Sequence, residues 1–253
     1  MKNRGFKMFL GLYNYTVLLT YLNLLSGFLG ISLAISNNNF VYASIFLLIS
    51  GILDMFDGFI SRCKKKRSIN EKKYGIQIDS LADIVSFGIL PVLIGWSFLK
   101  KEYISQNSKI FLFYNSLEYF KIFFLFCGSL YVLTALIRLA YFNIMHDKEE
   151  EFNSEIYYTG VPVTFASFIF PFLVLLRNIS QKFCNTKYYF VFFQYYLKIF
   201  PIFYLLAIIL LSFLFIFDKI KIKKQKNIFL IMLLSLFLIL LMFLIYLFYN
   251  DIE

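Results

Sequence analysis

Long apolar runs separated by short polar borders dominate the chain, and their length decides the fold class. Reading inward from the borders gives seven spans, at about 15–36, 40–60, 77–99, 119–142, 160–177, 199–217 and 228–249. Each holds 18 or more residues with few charges, enough to cross a hydrocarbon core of ~30 Å as a helix. The apolar segment Tyr188–Phe200 reads as a re-entrant piece or half of a further span. No small-residue cleavage site follows the first run, so it reads as a retained helix. The expectation is an all-α polytopic membrane protein, one integral membrane domain over 1–253.

Composition supports this. Of 253 residues, 60% are hydrophobic and 16% charged, against roughly 45–50% and about 25% in soluble domains. The 34 Phe and 19 Tyr reflect compositional bias, being too many for a cofactor site. Cys63, Cys127 and Cys184 have no metal-ligand spacing, and His146 stands alone in a polar stretch.

The net charge of +10 is distributed as topology, not as a nucleic-acid surface. Lys2, Arg4 and Lys7 precede the first span. Lys64, Lys65, Lys66, Arg67, Lys72 and Lys73 follow the second, and Lys219, Lys221, Lys223, Lys224 and Lys226 precede the last. Placing all three groups in the cytoplasm satisfies the positive-inside bias and favours anionic headgroups there. The acidic stretch 147–155 reads as a solvated loop, or as a mobile lip over the site.

Against this background four aspartates stand out. Asp54 and Asp57 lie near the end of the second span, Asp79 and Asp83 near the start of the third. An acid at the bilayer centre costs roughly 2.5–3.5 kcal/mol on insertion scales and is a functional candidate by default. Spacings of three and four give each helix one acidic face, and the topology sets both pairs at similar depth, facing the cytoplasm. Four packed carboxylates repel one another, and oxygen-only donors suit a hard cation, Mg²⁺ or Mn²⁺. Two such ions suit transfer at phosphorus. A multi-helix cation transporter is the alternative from a different class. It requires a polar path to the far face, and the spans carry few ionisable residues there.

The string Asp54-Met-Phe-Asp57-Gly58-Phe-Ile-Ser61-Arg62, followed by Gly75, Asp79 and Asp83, resembles the signature of the CDP-alcohol phosphatidyltransferase family. Ser61 replaces the usual alanine, and the stretch between Arg62 and Gly75 is longer than usual. Three further segments resemble the serine-using members. They are Thr20-Tyr-Leu-Asn23-Leu-Leu-Ser-Gly27, the run from Asp79 through Ser86-Phe87-Gly88 to Pro91, and Arg138-Leu-Ala-Tyr141-Phe142-Asn143 with Gly160-Val-Pro162. Tyr141 stands where a second arginine is usual, and Thr164 where a second proline often sits.

The resemblance covers roughly residues 12–175, the expected catalytic region. It implies a six-helix core, with one or two extra transmembrane helices in 176–253. It also implies transfer of a phosphatidyl group from CDP-diacylglycerol to L-serine, giving phosphatidylserine and CMP. Asp54, Asp57, Asp79 and Asp83 are the implied ligands of two Mg²⁺ or Mn²⁺ ions, with Asp83 also the general base. Asn23, Gly58, Arg62 and Gly75 are expected at the nucleotide and diphosphate, Arg138 and Asn143 at the acceptor. Glycerol 3-phosphate, choline, inositol or inositol phosphate are the alternative acceptors. A homodimer among membrane lipids, in a bacterial cytoplasmic membrane, completes the expectation.

Overall fold

The computed structural model describes residues 11, 15–37, 40–63, 68–105, 114–152, 157–183, 190–219 and 221–223. The expected seventh span, 228–249, lies outside them, as do Lys64–Arg67. The helices are α1 (Tyr15–Asn37), α2 (Phe40–Cys63), α3 (Ile69–Asp83), α4 (Leu90–Ser105), α5 (Tyr114–Phe152), α6 (Ala166–Phe183) and α7 (Phe190–Ile216). A π-helical turn, Ile84–Ile89, joins α3 to α4. Among the described residues, six stretches are long and apolar enough to cross a membrane: Val17–Ser36, Phe40–Gly58, Ile69–Lys101, Tyr119–Met145, Val163–Gln181 and Ile199–Ile216. The protein is therefore a multi-pass, all-α membrane protein with a six-helix core.

Several boundaries differ from the sequence reading for local reasons. The third span begins at Ile69 because Ser68 caps it: the Glu71 amide donates to Ser68 Oγ (3.2 Å) and the Ser68 amide to Glu71 Oε2 (3.1 Å). This capping box converts half of the long stretch between Arg62 and Gly75 from loop into helix. Likewise α5 continues as helix through Phe152, although 147–155 read as a loop. The segment leading to Phe200 is the first part of α7, not a re-entrant piece.

Pro91 frees a carbonyl within the π turn. It has no amide hydrogen, and its ring clashes with the carbonyl four residues back in a regular helix. That carbonyl is Phe87's, and it receives the Tyr131 hydroxyl from α5 instead (2.9 Å). The helix widens around it, with the Leu90 amide bonding to the Val85 carbonyl. Tyr204 of α7 donates to the Pro91 carbonyl (2.8 Å). Phe87, Leu90, Ile94, Phe124, Ala135, Phe170 and Ile208 fill the buried interior around these two tyrosines. Leu18, Phe28, Ile122 and Leu210 on outer faces are exposed, as lipid-facing residues are.

α1 packs most extensively on α2, and also on α3 and the π turn, while α6 packs on α2 and α7 on α5. Two glycines set close approaches. A side chain at Gly27 would collide with Ser86, and one at Gly51 with Ser167. A short antiparallel ribbon, β1 (Tyr157–Thr159) with β2 (Lys221–Lys223), ties the α5–α6 link to the chain beyond α7. Where α2 begins and α4 and α6 end, buried Arg177 lies 5.0, 4.9 and 5.8 Å from the ring centres of Phe40, Phe98 and Phe200. It also donates to Gln181 Oε1 (3.3 Å).

Candidate metal and transfer site

The site is built where α2 ends and α3 begins, with α1 behind both. Asp54 and Asp57 come from α2 and Asp79 from α3, and one carboxylate oxygen of each lies within 4.8 Å of the others. Asp57 and Asp83 are buried, while Asp54 and Asp79 are half-buried. Asp79 Oδ1 is enclosed and has no hydrogen-bond partner. An oxygen so placed needs a cation or a donor. Three convergent hard donors, one of them unsatisfied, fit a divalent ion of the Mg²⁺ or Mn²⁺ type.

Two polar side chains of α1, three residues apart, reach the acids. Thr20 Oγ1 donates to Asp57 Oδ2 (3.0 Å), and Asn23 Nδ2 donates to Asp83 Oδ1 (3.1 Å). Asp83 is therefore held by α1, and the mutually close set among the described residues is Asp54, Asp57 and Asp79. The Asn23 backbone carbonyl receives Ser50 Oγ from α2 (3.3 Å) and Ser86 Oγ from the π turn (3.1 Å). The contact between Thr20 and Asp57 was absent from the sequence reading. Its signal was the spacing of Thr20, Asn23 and Gly27, which places all three on one face of α1.

The other expected residues surround this centre. Gly58 follows Asp57 in α2 and is half-buried. A Cβ on Gly75 would meet nothing within 4 Å, so this glycine borders open space. Arg62 lies in the last turn of α2, and its side chain is outside the described residues.

Arg138 is buried on α5, its guanidinium 5.8 Å from the Phe142 ring centre. Gly160, at φ +76°, backs onto it: an added Cβ would lie 3.3 Å from Arg138 Nε and 3.1 Å from the Phe215 carbonyl oxygen. Only glycine adopts that backbone readily, which explains the Gly160-Val-Pro162 turn. Asn143 exchanges hydrogen bonds with Ser80, its Nδ2 donating to Ser80 Oγ (2.9 Å) and its Oδ1 accepting (3.3 Å). A cavity of about 270 Å³ beside this pair is lined by Gln77, Ile84, Leu136 and Leu139 among others.

Several known proteins are similar in sequence to this chain. The chain is 29% identical over 167 residues to a CDP-diacylglycerol–serine O-phosphatidyltransferase of Helicobacter pylori, covering 66% of this chain and 60% of that one. It is 29% identical over 150 residues to an archaetidylserine synthase of Methanothermobacter thermautotrophicus, covering 59% and 53%. A Bacillus subtilis CDP-diacylglycerol–serine O-phosphatidyltransferase is 25% identical over 162 residues, covering 64% and 75%. The chain thus spans between half and two thirds of the first two relatives. The family model for CDP-alcohol phosphatidyltransferases matches residues 13–200. With a six-helix membrane core and an acidic centre at the junction of its second and third spans, the chain belongs to the CDP-alcohol phosphatidyltransferase family.

Proposed function

We propose that this protein transfers the phosphatidyl group of CDP-diacylglycerol to L-serine, yielding phosphatidylserine and CMP. The observation that carries this reading is the convergence of Asp54, Asp57 and Asp79, with their oxygens within 4.8 Å of one another, beside a separately held Asp83. Serine is supported by the Asp79–Pro91 run, and by relatives whose names specify serine or archaetidylserine.

In this reading Asp54, Asp57 and Asp79 would hold Mg²⁺ or Mn²⁺, and Asp83 would contribute to a second ion. Bound there, the ions would supply Lewis-acid neutralisation of charge on the diphosphate. Gly58 and Gly75 leave room for the nucleotide to approach, and Arg62 offers a planar fork to phosphate oxygen. Asp83 accepts the proton of the serine hydroxyl. The serine oxygen forms a bond to the phosphorus nearer the diacylglycerol as the bond from that phosphorus to CMP breaks. Asp83 later releases the proton to water.

Arg138 and Asn143 orient the acceptor, the buried guanidinium pairing with its carboxylate. An acceptor with an extra phosphate would demand a second cation, and Tyr141 occupies that place and is partly exposed. The proposal includes a bacterial cytoplasmic membrane, a site opening to the cytoplasm where the lysines and arginines cluster, and a homodimer.

The test is an acceptor panel in lipid–detergent micelles containing CDP-diacylglycerol and Mn²⁺. L-serine, glycerol 3-phosphate, choline, inositol and inositol phosphate are compared by CMP release and by the lipid formed. Serine alone is expected to yield both. Release with a different alcohol only would reassign the acceptor.

A further inference from the structure

The resemblance placed Asn23 against the nucleotide, yet the donor half of its side-chain amide is already engaged, while Oδ1 is enclosed without a hydrogen-bond partner. Asn23 is fully buried, and Nδ2 donates to Asp83 Oδ1 at 3.1 Å. Its backbone is fixed as firmly. The carbonyl takes Ser50 Oγ from α2 and Ser86 Oγ from the π turn, so three helical segments meet at one residue. Gly27, one turn further along α1, makes the third approach possible, because any side chain there would strike Ser86. The π turn begins directly after Asp83 and delivers Ser86 to this node.

We propose that Asn23 is a positioning residue for Asp83, a role that rests on the reading of Asp83 as the proton acceptor. The neutral amide occupies one carboxylate oxygen and leaves the other for the acceptor hydroxyl. It also anchors Asp83 to α1, while the carboxylates of Asp54, Asp57 and Asp79 converge on one another. A carboxylate without this anchor turns freely about its last torsion. It then no longer presents its second oxygen to the hydroxyl. Asparagine suits the task because it donates without adding charge to a site that must bind cations. Ser50 and Ser86 act one step further out, by holding the asparagine.

Kinetics of Asn23→Ala and Asn23→Leu, set beside binding of CMP and of Mn²⁺ alone, test this assignment. Asn23→Leu keeps the size, loses the N–H donor and adds no charge, and serves where Asn23→Ala does not fold. Expected is a fall in kcat on the order of 10–100-fold, as for loss of an orienting partner, with KM for CDP-diacylglycerol and affinity for CMP nearly unchanged. Mn²⁺ read by electron paramagnetic resonance should still bind Asn23→Ala, since Asp54, Asp57 and Asp79 are intact. Ser86→Ala should show a smaller fall in kcat of the same type.

A raised KM with kcat retained, or lost CMP affinity, would return Asn23 to the nucleotide and overturn the proposal. So would full activity of both variants beside an active wild type. Wild-type protein inactive with every acceptor would instead overturn the underlying reading, and this inference with it.

Discussion

At the residue scale, the four aspartates are not equivalent. Asp54, Asp57 and Asp79 form the close set, so Asp79→Asn should weaken Mn²⁺ binding on the order of tenfold or more, because a neutral amide oxygen replaces a charged ligand. Titration followed by electron paramagnetic resonance checks this, and wild-type affinity in the variant would show that Asp79 is no ligand. The acids themselves were legible in the sequence, since carboxylates inside apolar spans are costly and spaced for one face. Their partners were not. Thr20 and Asn23 lie more than thirty residues from Asp57 and Asp83, and no local pattern states which hydroxyl or amide will meet which acid. Arg177 was missed altogether. An isolated arginine near a span's end reads as a headgroup contact, whereas here Phe40, Phe98 and Phe200 bring their faces to it from two other helices and a loop-proximal third. Arg177→Ala should lower stability by about 2–4 kcal/mol, through lost packing and cation–π contacts. Arg177→Met, which keeps bulk without the buried charge, should cost less. Thermal unfolding in detergent gives the order of the two.

At the element scale, six of the seven expected spans appear with their centres where the apolar runs placed them, because hydropathy over some twenty residues is a strong signal. Ends were less legible. The helical start at Ile69 depends on a capping box, and Ser68 and Glu71 carried that signal within a basic stretch that otherwise read as loop. Pro91 frees the Phe87 carbonyl from its helical partner, but the proline alone did not specify a π turn, since Pro201 lies inside a continuous α-helix. The outcome at Pro91 depends on Tyr131, over forty residues away, satisfying the freed carbonyl. Close packing of α1 on the π turn likewise depends on Gly27. Gly27→Ala would push Ser86 away from the Asn23 carbonyl, with an overpacking cost of about 1–3 kcal/mol. A lowered melting temperature accompanied by reduced kcat is expected, and unchanged values of both would show that the helices separate without consequence.

For the whole molecule, the fold explains how a membrane-spanning chain obtains a polar centre. Outer helix faces remain apolar and exposed, the interior is closed by aromatic packing, and the acids of the centre lie at one end of two adjoining spans. The ribbon of β1 and β2 and the turn at Gly160 tie the chain beyond α7 to the neighbourhood of Arg138. Gly160→Ala forces a residue with a Cβ into φ +76° against Arg138. It should raise KM for the acceptor more than KM for CDP-diacylglycerol, as measured by varying each in turn. The central claim is phosphatidyl transfer at the acidic centre with Asp83 as proton acceptor. It is tested most directly by following CDP-diacylglycerol, labelled at the phosphorus next to the diacylglycerol, with L-serine and Mn²⁺, in wild type and Asp83→Asn. The account predicts equal amounts of CMP and labelled phosphatidylserine from the wild type, and a rate at least ~10²-fold lower from folded Asp83→Asn, the scale of general-base catalysis. Label appearing in phosphatidylserine at the same rate in both proteins would contradict it.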